Sequence, residues 1–109
     1  MKRIFILISI PLTTFSQIIH TGFPEDSVVQ QYVQHAYAIS SGNMDFVLTL
    51  QAENGAWDPL RKSKTEPSYG FCQFNTRWHR RIVQDPRFKD PFWQLDQCRW
   101  YYSHGTKFY

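Results

Sequence analysis

Glu53 is the residue whose setting in the chain points to chemistry. The apolar run Phe46, Val47, Leu48 and Leu50 leads up to it, and Asn54, Gly55, Trp57 and Pro59 follow it. Asparagine, glycine and proline in that order end helices, so the acid is predicted at the C-terminal end of an apolar helix. The helix dipole disfavours an ionised carboxylate there, and apolar neighbours disfavour it further by withholding water. Both effects raise the pKa. A carboxyl group still protonated near neutrality can give a proton to a leaving oxygen and then act as the base. The competing reading is a surface glutamate at a frayed helix end.

The flanking chain has to build the elements that hold this acid. Asn43 caps a helix that starts at Met44 and puts Phe46, Val47 and Leu50 on its apolar side. That helix ends near Asn54 and Gly55, with Gly55 expected as a left-handed C-cap. Upstream, Pro24, Glu25 and Asp26 open an amphipathic helix to about Ser40, with Val28, Val29, Tyr32, Val33, Ala36 and Tyr37 at helical spacing. Residues 56–69 are polar and punctuated by Pro59 and Pro67, and read as a loop or a short irregular hairpin. The segment "GFCQFN" is compact. "TRWHRRIVQD" is a short helix capped by Thr76; Pro86 interrupts it, and Asp90 with Pro91 opens a last helix that Gly105 closes. The predicted fold is mainly α: a small domain with an irregular loop or short β-hairpin between its second and third helices.

Bulk properties narrow the classes. A chain of 109 residues, 42% hydrophobic and 17% aromatic, makes one small domain with a ring-rich core. "MKRIFILISIPLTTFSQ" has a basic start, an apolar run from Ile4 to Leu12 too short to span a bilayer, and small residues Thr14 and Ser16 at cleavage-site spacing. Residues 1–16 are therefore read as a signal peptide and residues 17–109 as the mature domain, exported to a periplasm or the exterior. The alternative for 1–16, a buried helix, fits poorly with Pro11. Losing Lys2 and Arg3 takes the net charge from +3 to +1, which gives no case for nucleic acid as a partner. "RWHRR", residues 77–81, is the one basic cluster: a solvated helix face, or a weak attraction for an anionic polymer such as a cell-wall glycan. In an oxidising compartment Cys72 and Cys98 form the simplest pairable set, and a bridge between them would close a loop of about 25 residues; two buried thiols are the alternative. His20, His35, His79 and His104 show no ligand spacing with the cysteines, so no metal is expected.

The ordered set from Glu53 onwards, "ENGAWDPLRKSKTEPSYGFCQFN", resembles the lysozyme-like superfamily. It is most similar to the transglycosylase SLT family and the goose-type lysozymes. In that family the catalytic glutamate ends a helix, and a serine-glycine pair before a G-[LF]-[MC]-Q-[IF] segment follows across the cleft. Ala52-Glu53-Asn54 matches the first part. Ser68-Tyr69-Gly70-Phe71-Cys72-Gln73-Phe74-Asn75 matches the second. The match is specific over residues 46–79 and looser through Trp100 and Tyr101. Asn54 stands where the family usually has serine, and its amide is expected to orient the neighbouring carboxylate. The family's A-Y-N-x-G segment is not matched before "GTKFY", so the domain is expected to be a minimal or C-terminally truncated form.

The resemblance implies a monomeric, cofactor-free enzyme that cleaves the β-1,4 bond between N-acetylmuramic acid and N-acetylglucosamine in peptidoglycan glycan strands. It implies no stable membrane span once the signal is removed, and it fits a bacterial or a phage source. Glu53 is the implied acid and then base. Ser68 and Gln73 are implied to line the cleft and bind sugar, Gln73 being equally well a buried amide that satisfies loop backbone. Tyr69 is expected to stack on sugar, to orient Glu53 or to pack in the core, and the same choice holds for Trp57 and Trp78. Tyr101 is expected to reach Glu53 from the last helix. With serine at position 68, a single-acid transglycosylase mechanism is expected. Asp58 and Glu66 are the only nearby acids that could make a two-carboxylate hydrolase. An inactive peptidoglycan-binding module on the same fold is a third reading.

Overall fold

A computed structural model describes residues 23–105; the region read as a signal peptide lies outside the described residues. The elements run α1 (Ser27–Ile39), α2 (Met44–Glu53), β1 (Ser68–Tyr69), β2 (Phe74–Asn75), α3 (Thr76–Gln84), a 3-10 turn (Pro86–Lys89) and α4 (Pro91–Ser103). The architecture is mainly helical, with a two-stranded antiparallel hairpin between the second and third helices, as predicted. Among the described residues no helix is long and apolar enough to cross a membrane.

Each helix start uses a side-chain oxygen to satisfy backbone N–H groups that have no partner in the first turn. Asp26 Oδ1 accepts from Val28 and Val29 at 2.8 and 3.1 Å, and Asn43 Oδ1 accepts from Phe46 at 3.2 Å. Asp90 Oδ1 does the same for Phe92 and Trp93 at 2.9 and 3.3 Å. The cap of α3 is Asn75, whose side chain accepts from the Arg77 N–H at 2.9 Å, and not Thr76 as expected. Asn75 is the last residue of β2 and still has extended backbone, so it supplies the cap and Thr76 becomes the first helical residue. The expected left-handed cap at Gly55 is also absent. Positive φ falls instead on Trp57, at 52°, because the Asn54 carboxamide folds the chain after α2 back on itself.

The core is apolar and ring-rich. Val29, Val33 and Ala36 from α1 meet Phe46, Val47 and Leu50 from α2 and Leu95 and Cys98 from α4. Trp57, Phe71 and Phe74 enter this core from the loop and hairpin, which makes Trp57 a core residue and not a sugar platform. The ring of Phe71 sits 5.1 Å from Tyr32 and 6.0 Å from Trp57. Cys72 and Cys98 are bridged, with Cα atoms 6.1 Å apart, so the turn between β1 and β2 is tied covalently to α4. That resolves the choice between disulfide and free thiols.

The polar stretch 56–69 is ordered by pairing and by two buried amides. Its residues 61–63 run antiparallel to 68–70: Gly70 N–H donates to Arg61 O at 2.8 Å and Ser63 N–H to Ser68 O at 2.9 Å. Asn54 Nδ2 donates to Asp58 O at 2.7 Å and to Gly70 O at 3.0 Å. Gln94, fully buried on α4, donates from Nε2 to Pro59 O and Phe88 O, both at 3.0 Å, and accepts from Phe71 N–H at 2.6 Å. Gly70 is the point of closest approach. Its φ is 85°, and a Cβ there would collide with Gln94 Oε1 and come within 2.8 Å of the Phe88 ring.

Candidate active site

Glu53 is the last residue of α2 and is half-buried. It opens onto a cleft of about 290 Å³, lined also by Arg61, Ser63, Glu66, Ser68 and Gln73. The cleft is therefore built from one helix end and the two short pairings of the loop. Burial raises the Glu53 carboxyl above its ordinary value, and the neighbouring Glu66 carboxylate raises it further. Its carboxyl oxygens accept no hydrogen bond among the described residues, so nothing holds the ionised form by direct bonding. The elevated pKa expected from a helix end is present, with desolvation as its larger cause and a second acid as its other one.

Ser68 and Gln73 line the same cleft as Glu53. The Ser68 hydroxyl is buried and has no hydrogen-bond partner among the described residues. A buried hydroxyl without a partner is uncommon, and this one belongs to a residue that lines the cleft. Gln73 is a buried amide that satisfies loop backbone, one of its two sequence readings. Its Nε2 donates to Gly70 O at 2.9 Å and Arg61 O at 3.4 Å, while the residue lines the cleft. Its φ of 56° is a left-handed conformation that costs energy in a non-glycine residue, and such conformations gather at functional sites.

Two expectations are corrected, and for Tyr69 the core alternative holds. The Asn54 amide does not orient Glu53; it is fully buried and occupied by the backbone of Asp58 and Gly70. Its work is to fix the loop opposite the acid. Tyr101 does not join the Glu53 cleft. Its ring packs 5.7 Å from Phe74 and 4.9 Å from His79, and it borders a different cleft beside α3. Tyr101 lies two residues before the end of α4 and packs against His79 of α3 instead. Tyr69 is half-buried against the core with Lys62 over its ring at 5.9 Å, and does not line the cleft.

Sequence reasoning missed Arg61 and Ser63 as cleft residues and undervalued Glu66. The signal for Glu66 was present in "SKTEP": the Ser63 hydroxyl accepts from the N–H groups of Thr65 and Glu66, both at 3.3 Å, a serine turn that fixes the acid's position. Asp58 is exposed and uses its carboxylate to cap Leu60 N–H at 2.9 Å, outside the cleft. Among the described residues no group of three or more histidine, cysteine or acidic side chains could hold a metal ion.

No family model, no curated protein and no solved structure matches the chain. The resemblance of residues 46–79 to the transglycosylase family thus rests on the motif residues themselves.

Proposed function

We propose that the protein is a peptidoglycan lytic transglycosylase that cleaves the β-1,4 bond between N-acetylmuramic acid and N-acetylglucosamine. One observation carries the reading: a helix-ending glutamate with a raised pKa opens on a polar cleft that Ser68 and Gln73 also line. Desolvation keeps the Glu53 proton available at higher pH than for an ordinary carboxyl, as a general acid needs. Glu53 protonates the glycosidic oxygen as the bond from the muramic C1 breaks. The resulting carboxylate then takes the proton of the 6-hydroxyl of the same sugar, whose oxygen closes on C1. The product is a 1,6-anhydro end, and no water is consumed. Holding the 6-hydroxyl on the reacting sugar removes the entropy of bringing in a second molecule. The Ser68 hydroxyl and Gln73 are the groups available to hold the sugar.

A second reading has a specific observation in its favour. Glu66 lines the same cleft and acts electrostatically on Glu53. Two carboxylates across a glycan are the equipment of a hydrolase, with the second one activating water or stabilising the cationic sugar. Digestion of purified peptidoglycan followed by mass spectrometry separates the two. Anhydro ends, one water lighter than reducing ends, support the transglycosylase. Reducing muramic ends as the main product support the hydrolase. Absence of any cleavage, with retained binding, identifies a glycan-binding module.

A further inference from the structure

On the face formed by α3 and the last helix lies a second cleft, of about 460 Å³, that the cleavage reaction leaves unused. Residues 76–82 form most of it and Tyr101 closes it. Its walls are built by a break in α3. His79 departs from helical geometry, with φ −127° and ψ 34°, and turns its ring inward between Phe74 and Tyr101 at 5.2 and 4.9 Å. With His79 buried, its neighbours Trp78 and Arg80 are forced outward. Trp78 is 74% exposed, the most exposed large hydrophobic side chain among the described residues. Arg77, Arg80 and Arg81 are exposed around it, and none of the three has an ion-pair partner among the described residues. No acidic side chain lines this cleft.

A bare indole beside three unpaired guanidinium groups in a concavity asks for a ligand with both flat apolar faces and negative charge. We propose that this cleft is a second binding site, for an acidic polysaccharide: the Trp78 indole stacks on a sugar ring while Arg77, Arg80 and Arg81 pair with anionic groups along the chain. Guanidinium forks suit carboxylate and phosphate oxygens alike. A glycan fits better than nucleic acid, because the whole chain carries only +3 and the positive charge is confined to this short segment. The inference goes beyond the Glu53 reading and does not depend on it.

Titration calorimetry on the Glu53→Gln protein tests the site with cleavage switched off by design. Oligogalacturonate offers rings and carboxylates, and phosphorylated dextran offers rings and phosphates; binding of either one supports the site and names the anion. Affinity should fall steeply with added salt. Trp78→Ala should weaken binding about tenfold, and Arg77→Gln with Arg80→Gln and Arg81→Gln should remove most of its salt dependence. Neutral dextran and polyacrylate, lacking charge and rings respectively, should each bind at least about tenfold more weakly than the acidic glycans. Trp78 and the three arginines are exposed, so these variants should keep the parent circular dichroism and melting point. No binding of either acidic glycan would overturn the proposal. So would binding indifferent to Trp78→Ala, and so would an oligodeoxythymidylate that binds more tightly than both glycans.

Discussion

The two clefts of this domain are assembled in opposite ways. The Glu53 cleft draws its lining from residues 53–73, and its shape depends on contacts from far along the chain: Asn54 to Gly70, and Gln94 to Pro59 and Phe71. The α3 cleft comes almost entirely from seven consecutive residues, 76–82, with Tyr101 as its one distant wall. The first places a partly desolvated acid in one cleft with an unpartnered hydroxyl and a strained amide residue. The second displays charge and an exposed ring, the features the proposed polymer site uses. Polar backbone that lines a reaction site needs internal anchors, whereas a binding face can be displayed by a short helix whose one buried residue fixes the rest.

The sharpest way to break this contrast is to remove the long-range anchor. Gln94→Ala leaves Phe71 N–H and the carbonyls of Pro59 and Phe88 without their buried partner, and opens a cavity beside Gly70. Each unsatisfied buried group costs about 1–3 kcal/mol, so a total loss of about 4 kcal/mol is expected in denaturant melts. A loss below about 1 kcal/mol would mean that the loop stands without Gln94. The disulfide is the next anchor. It spans a sequence separation of 26 and joins the hairpin turn to α4, and the chain-entropy model assigns such a loop about 3 kcal/mol. Reduction should lower the melting temperature by that equivalent; an unchanged melt in reductant would remove the bridge from the list of anchors.

Glu53→Gln separates the clefts by function. The substitution keeps shape and removes the transferable proton, so glycan cleavage should fall at least about a hundredfold. Binding of acidic glycan at the α3 cleft should be unchanged. Trp78→Ala should do the reverse, sparing cleavage of short soluble glycan fragments. Cleavage by Glu53→Gln within a factor of a few of the parent protein would remove Glu53 as the proton donor.

How much of this was legible in the sequence follows the same division. Most local signals were sound, the caps expected at Thr76 and Gly55 apart: Asn43 as a cap, Phe46, Val47 and Leu50 as the buried face of α2, and Glu53 as its last residue. The other failures came where a distant partner decides the outcome. Nothing in "WQLDQ" marks Gln94 as the fully buried member that would hold the loop, since glutamine on a helix is usually solvated. Nor could Asn54 be read as a loop anchor when its acceptors are Asp58 and Gly70, the second sixteen residues away. Tyr101 was assigned to the wrong cleft because helical spacing gives a face and not the neighbour that covers it. "RWHRR" was legible as a basic, largely solvated segment, but the inward turn of His79 depends on Phe74 and Tyr101 and could not be read from five residues.

Glu66 gives a smaller effect that distinguishes the two catalytic readings. Its charge helps raise the Glu53 carboxyl, so Glu66→Gln should move the alkaline limb of the cleavage-rate profile to lower pH. With one working acid, the rate at the new optimum stays within a few-fold of the parent. A fall of about a hundredfold at every pH would make Glu66 a second catalytic carboxylate.

The smallest expected effect is on stability, and its sign follows from linkage. The folded-state pKa of Glu53 lies above its unfolded value, so the folded chain binds the proton more tightly than the unfolded one. That favourable contribution is complete below the ordinary carboxyl value of 4.5 and is lost as pH rises through the elevated folded value. Above it, an ionised and partly desolvated carboxylate facing Glu66 weighs against the fold. Glu53→Gln should therefore melt slightly higher than the parent at pH 7, and the difference should shrink towards zero as the pH falls below about 4.5. The α3 cleft offers the control, because exposed Trp78→Ala should shift the melt equally little at both pH values. A Glu53→Gln protein less stable than the parent at pH 7 would mean that the carboxylate is held by favourable contacts, and that the cleft is not built to keep its proton.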